Sequence, residues 1–206
     1  MNVLIAKRIL LAAGALLLAA CQTTSIVDSW ADPSYTGGPF RKILVLGVIQ
    51  DAAFRHTFED IMAAKLVQTG VQAAPAYRYL ADAPQASESQ IDAAIAQSGA
   101  DGLLLTHLKR IDTKTRVSTM MVPGPPPFYG PYGGYYPMYS GWYAVPDVQQ
   151  YDVATVETSL FQTAGKKMVW TGVTETFQPT SVAQDAPGYA DVIIKALQTK
   201  GLLPSR

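Results

Sequence analysis

The chain has 206 residues, 16 basic and 16 acidic, and a net charge of zero at neutral pH. Nucleic-acid binding needs a concentrated basic footprint, and this balance offers none. A single cysteine leaves the folded part without a disulfide, so its apolar core alone must hold it; the length suits one ordinary domain.

Taken in order, the chain opens on Lys7-Arg8, an apolar run from Ile9 to Ala20, and small residues before Cys21. A short basic start, an apolar stretch and a small-residue boundary form a secretory leader rather than part of a fold. The apolar run is 12 residues, or 18 counted from Val3 with the basic pair inside it. About 20 apolar residues are needed to span a bilayer. Leu18-Ala19-Ala20-Cys21 resembles the lipobox of bacterial lipoproteins. The resemblance implies a leader at 1–20, cleavage before Cys21, diacylglyceryl attachment to its thiol and acylation, typically palmitate, of the new amino terminus. Several chains on one residue make a firm anchor, whereas one binds marginally. Gln22 is not the aspartate that retains such proteins at the inner membrane, so the resemblance implies the periplasmic face of the outer membrane. The mature chain, Cys21 to Arg206, has 186 residues and a formal charge of −2.

Residues 21–38 are polar and turn-rich and read as a lipidated tether, with Trp30 and Tyr35 available to plug it onto the domain. The single domain then runs over 39–206. Lys42–Ile49 is an apolar run suited to a strand buried on both faces. Asp51 caps a helix with Phe54, Phe58, Ile61, Met62 and Leu66 on one face, closed by Gly70. Val71–Leu80 reads as an edge strand, because Pro75 cannot donate to a ladder. Ser87-Glu88-Ser89-Gln90 is a capping box opening a second helix that ends at Gly99. A strand follows from Asp101 toward Val122. Tyr151–Phe161 and Met168–Phe177 form a hairpin about Thr163–Lys167. A last helix carries Tyr189, Val192, Ile193, Ala196 and Leu197 on one face and stops at Gly201. The order is β-α-β-α-β-β-β-α, an α/β (α+β) fold with a mixed sheet of about five strands and three helices. The crossover rule places the first two strands side by side or nearly so.

A wider resemblance rests on Trp30-Ala31-Asp32-Pro33-Ser34-Tyr35, Phe58-Glu59-Asp60, Ala100-Asp101-Gly102, Val169-Trp170-Thr171-Gly172 and Lys200-Gly201-Leu202. These resemble an uncharacterised bacterial lipoprotein family, known as a domain of unknown function. Its α/β fold is similar to the amino-terminal domain of the Tol-system translocation protein. The resemblance implies an envelope accessory or interaction domain and brings no catalytic residues with it.

The segment 123–146 is unlike the rest. Its 24 residues include 7 prolines, 5 glycines and 8 aromatics, and no charge. The aromatics are Phe128, Tyr129, Tyr132, Tyr135, Tyr136, Tyr139, Trp142 and Tyr143. Loops of this length are usually functional or disordered. Three readings stand: the rings fold back over the sheet, they bind a partner, or the segment is an inert spacer. Tyrosines offer stiff, amphipathic contact area, and a protein partner is favoured over peptidoglycan. A spacer with this many exposed rings would invite aggregation.

Signs of catalysis are scarce. His56 and His107 lack ligand partners at zinc spacings. Gly130-Pro131-Tyr132-Gly133-Gly134 lacks the strand-to-helix context of a phosphate loop. Glu59 and Asp60 read as a solvated pair on a helix, the alternative being that Glu59 pairs with Arg55 or Lys65. Glu157 and Glu175 lie in the hairpin strands, facing each other or Lys166 and Lys167. The chain is expected not to be an enzyme, with no cofactor and no metal. The expected role is a lipid-anchored binding and assembly module whose aromatic insert contacts an envelope protein. The alternatives are a peptidoglycan-active enzyme or its activator, and a structural subunit of an envelope transport complex.

Overall fold

A computed structural model describes residues 24–204, without residue 82 and residues 124–141. Six strands form one mixed sheet in the order β1-β6-β5-β4-β2-β3. They are β1 (Thr24–Ala31), β2 (Lys42–Val48), β3 (Gln72–Pro75), β4 (Gly102–Pro123), β5 (Trp142–Gln162) and β6 (Lys167–Phe177). Among the described residues three α-helices join them: α1 (Ala52–Gln68), α2 (Glu88–Ser98) and α3 (Val182–Thr199). β3 and β4 pair in parallel with β2, and the remaining pairs are antiparallel. The fold is α+β, as the element order predicts, with one strand more than expected.

The central strand explains the two layers. Successive side chains of a strand point to opposite faces. Ile43 and Val45 enter a core with Phe58, Met62 and Leu66 of α1 and Ile193 and Leu197 of α3. Leu44 and Leu46 enter a second core with Ala94 of α2, Leu80 and Leu103. The uninterrupted apolar run of β2 is therefore the signature of a strand covered on both sides.

The helix boundaries follow their caps. The Asp51 carboxylate accepts the Phe54 N–H at 2.9 Å and opens α1. Ser87 and Gln90 form the reciprocal capping box that opens α2, and Gly99 closes it with φ +64. The inward face of α1 departs from the predicted stripe at its first turn. Phe54 is exposed, while Arg55 is buried. At ~100° per residue, position 54 lies about 80° round the helix from Met62, and the stripe drifts off it.

β1 corrects the reading of 21–38 as a tether: residues 24–31 are a sheet strand. Its side chains are mostly exposed, so no apolar run announces it. Main-chain pairing with β6 holds it, from Thr24↔Thr176 to Ala31↔Trp170, with a Thr24–Thr176 hydroxyl contact of 2.9 Å. After β1 the chain turns at Asp32, whose carboxylate accepts from the Ser34 N–H at 2.8 Å and contacts Lys167 Nζ at 2.6 Å. Tyr35 stacks on Phe40 with ring centroids 5.7 Å apart, whereas Trp30 stays outside.

The bonds from Lys167 and then Ser34 hold the Asp32 carboxyl down to about 2, from 3.8. Its folded pKa is depressed, so its stabilisation is complete above about pH 4 and is lost as pH falls toward 2. Asp32→Asn is expected to flatten the fall in stability across that window, measured by urea unfolding at stepped pH. An unchanged slope would show that the contact contributes nothing.

Two of the short motifs singled out in the sequence acquire physical reasons. Asp101 accepts the N–H groups of Arg41 and Lys42, both at 2.9 Å, and so ties the start of β2 to the start of β4. Beside it, Gly102 lies under Phe40, where a Cβ would come within 2.7 Å of the ring. In β6, the Trp170 ring lies over Gly172, where a Cβ would meet it at 2.5 Å.

Candidate functional site: the β4–β5 arm

β4 and β5 stay paired far beyond the rest of the sheet. β2 leaves β4 at Val48↔His107, and β6 leaves β5 at Phe177↔Val153. Pairing of β4 with β5 continues from Asp112↔Val153 to Pro123↔Trp142, with its only register shift earlier, at Leu108/Arg110. Eleven steps at ~3.3 Å make an arm about 36 Å long. Most of its side chains are exposed, including Val117, Met120, Met121, Trp142 and Val148. An isolated two-stranded hairpin is marginal in water, so the body must hold this one at its base.

The base is a polar collar. Glu157 sits 2.8 Å from Lys109 and 3.8 Å from His107. The Lys109 ammonium holds the Glu157 carboxyl below its ordinary range, against a smaller opposing effect of burial. Lys114 reaches Glu175 at 3.5 Å, and Thr113 donates to Asp152 at 2.7 Å. Tyr151 packs on Phe177 with centroids 4.5 Å apart. Further out, Gln149 and Ser118 both donate to Asp147, at 2.9 and 3.3 Å.

Glu157 and Glu175 share a sheet face but are offset in register, Glu157 opposite Val173 and Glu175 opposite Thr155. Each is engaged by its own lysine from β4, which corrects the expectation that they face each other or Lys166 and Lys167. Lys166 pairs instead with Glu88 and Asp92 of α2, both at 2.6 Å, and Lys167 with Asp32. The collar is therefore a set of neutralised ion pairs at the foot of the arm.

The insert is shorter than the predicted 123–146. Pro123 and residues 142–146 belong to the paired strands, because a proline at an open edge costs no ladder bond. Trp142 is 65 % exposed at the last pair, and Tyr143 pairs with Val122. Cys21, Phe128, Tyr129, Tyr132, Tyr135, Tyr136 and Tyr139 lie outside the described residues. What reading by composition missed is the pattern on the strands themselves. Val117, Met121 and Trp142 fall on one face with Val148 and Ala144, an alternation visible only once the register is known.

The other candidates have structural roles. Glu59, expected to be solvated, is fully buried, and the alternative of pairing with Arg55 holds at 2.8 Å. Its carboxylate also accepts from Gly47 N–H at 2.9 Å and Tyr77 N–H at 2.8 Å. Arg55 donates onward to the carbonyls of Leu80 and Ala81, at 2.8 and 2.9 Å. The pair thus staples α1 to β2 and to the 3-10 turn Ala76–Arg78 after β3. Asp60 accepts from the Tyr77 hydroxyl at 2.8 Å, and His56 lies against the Tyr77 ring with centroids 4.1 Å apart. Among the described residues no helix is long and apolar enough to cross a membrane.

No protein-family model and no curated protein matches the chain. Solved structures show a loose likeness. A PelC L103M dodecamer from Paraburkholderia phytofirmans aligns with TM-score 0.46 and 15% identity, over 89% of this chain and 99% of that one. The lipoprotein GNA1162 from Neisseria meningitidis aligns with TM-score 0.41 and 14% identity, over 78% and 96%. A PDZ domain protein from Parabacteroides distasonis gives 0.39 and 10%, over 89% of this chain and 36% of that one. At these scores the likeness assigns neither a family nor a role.

Proposed function

We propose that this chain is a lipid-anchored accessory protein of the bacterial envelope, held at the periplasmic face of the outer membrane by Cys21. It works as a binding and assembly module rather than a catalyst. The observation that carries this reading is the arm: regular pairing maintained for about 36 Å beyond the sheet, ending where the aromatic insert begins. The sequence that joins the two strands, residues 124–141, holds six of the eight rings and no charge. Lipobox residues before Cys21, and the motif resemblance to uncharacterised lipoproteins with a Tol-like domain, support the location. The ion-paired state of the acidic residues at the foot of the arm favours binding over acid–base work.

The test is in-cell crosslinking from a photoreactive residue at Tyr135. A discrete protein adduct is expected. Replacing residues 124–141 by Asn-Gly closes the strands at Pro123↔Trp142 with a two-residue turn. It is expected to abolish the adduct formed from a second probe at Tyr143 while leaving the thermal unfolding midpoint within a few degrees of the parent. A muropeptide adduct would instead support the peptidoglycan-directed alternative, and a replacement that unfolds the domain would make the insert a cover for the sheet.

A further inference from the structure

The anchor and the arm leave the sheet at the same end. Cys21 stands three residues before Thr24, the first residue of β1. Thr24 pairs with Thr176, next to Phe177, where β6 leaves β5 and the arm begins. Three extended residues span at most ~11 Å. A lipidated Cys21 therefore keeps this end of the sheet within about 11 Å of the bilayer surface, while the arm extends about 36 Å from it.

The arm has two chemically different faces. Val117, Met121, Trp142, Ala144 and Val148 share one face, with only threonine, proline and glutamine between them from Thr115 to Pro123 and from Trp142 to Gln150. Val117 is 67 % exposed and Val148 59 %. The opposite face carries Lys114, Arg116 and Asp147 beside Met120, Val122 and Val145, so charge, rather than apolar content, distinguishes the two. We infer that the charge-free face of the arm rests in the interfacial layer of the bilayer that holds the Cys21 lipid. This rests on the anchored reading above and deepens it: lipid occupies one face of the arm and holds its far end, Pro123↔Trp142, at membrane level, displaced from the anchor.

Physical chemistry selects lying over crossing. Beyond Val48 and Phe177 the outer edges of β4 and β5 have no strand partner among the described residues. In hydrocarbon, open edges leave main-chain groups unsatisfied, so a lone ribbon cannot span. At the interface water still reaches the edges and the charged face, while the apolar side chains leave water. Trp142 at the far end suits the headgroup boundary, where indole rings concentrate.

The experiment uses the full-length lipidated protein in vesicles of phosphatidylethanolamine and phosphatidylglycerol, doped with lipids brominated at shallow or deep acyl positions. The Trp142 signal is obtained by difference against Trp142→Phe, which retains Trp30 and Trp170. Quenching by bromine is expected, stronger from shallow than from deep positions, and Val117→Asp with Met121→Asp, four residues apart on one strand, should remove most of it. Both positions are exposed, so the double variant should keep the parent unfolding curve. Protein that co-floats with vesicles while Trp142 stays unquenched would overturn the inference and leave the anchor intact. If such protein also forms disulfides between copies each carrying Val117→Cys alone, the face belongs to a second copy instead. Deep quenching equal to shallow would overturn the interfacial position. An unmodified Cys21 by mass, with no co-flotation, would overturn both readings.

Discussion

Glu59→Ala is expected to destabilise the domain by about 3–5 kcal/mol, because removing one partner of a buried ion pair leaves the other charge uncompensated. Arg55 and Glu59 are 2 % and 0 % exposed, one turn apart on α1. The loss extends past the pair itself. The Gly47 N–H in β2 and the Tyr77 N–H after β3 both spend their hydrogen bonds on this carboxylate. Urea unfolding of the parent and variant gives the difference directly. A typical domain is stable by only ~5–15 kcal/mol, so a marginal parent would yield an unfolded variant. The double replacement Arg55→Met with Glu59→Met keeps the measurement informative: it removes both charges and should recover part of the loss. A Glu59→Ala cost below about 1 kcal/mol would mean water reaches the pair.

The second large effect is at Trp170. Its side chain is fully buried in the core beneath α3, over the bare Cα of Gly172. Trp170→Ala is expected to cost about 3–5 kcal/mol through lost burial and an incompletely collapsed cavity. The indole N–H has no hydrogen-bond partner among the described residues. Trp170→Phe removes that unsatisfied donor, so it should cost markedly less than alanine. Gly172→Ala approaches the same contact from the other side and should lose about 1–3 kcal/mol by overpacking. The three variants form a set for calorimetry or denaturant unfolding. Gly172→Ala in the Trp170→Ala background should be nearly free of its own cost, since the ring it would strike is gone. An undiminished cost there would place the glycine's role in the backbone rather than under the ring.

Both cases show how far the residues alone can be read. The apolar run Ile43–Leu46 announces a strand covered on both faces, and the capping residues Asp51 and Ser87 set where two helices begin; these signals are local, acting within a few residues. The lipobox resemblance at Cys21 is equally local, and it supplies the expectation of an anchor. Three things needed the tertiary structure. β1 is held by main-chain bonds to a strand far along the chain, so nothing in Thr24–Ala31 marks it. Glu59 resembles any surface acid until α1 lies across Gly47 and Tyr77, which turn its carboxylate into a buried acceptor. The two-faced arm appears only when β4 and β5 are set in register, because alternation carries meaning relative to a partner strand. Sequence by itself determined the layers, the caps and the expected attachment point; the long-range pairing decided that the start of the amino-terminal strand and the foot of the arm lie at one end of the sheet, since strand register is a relation between distant segments.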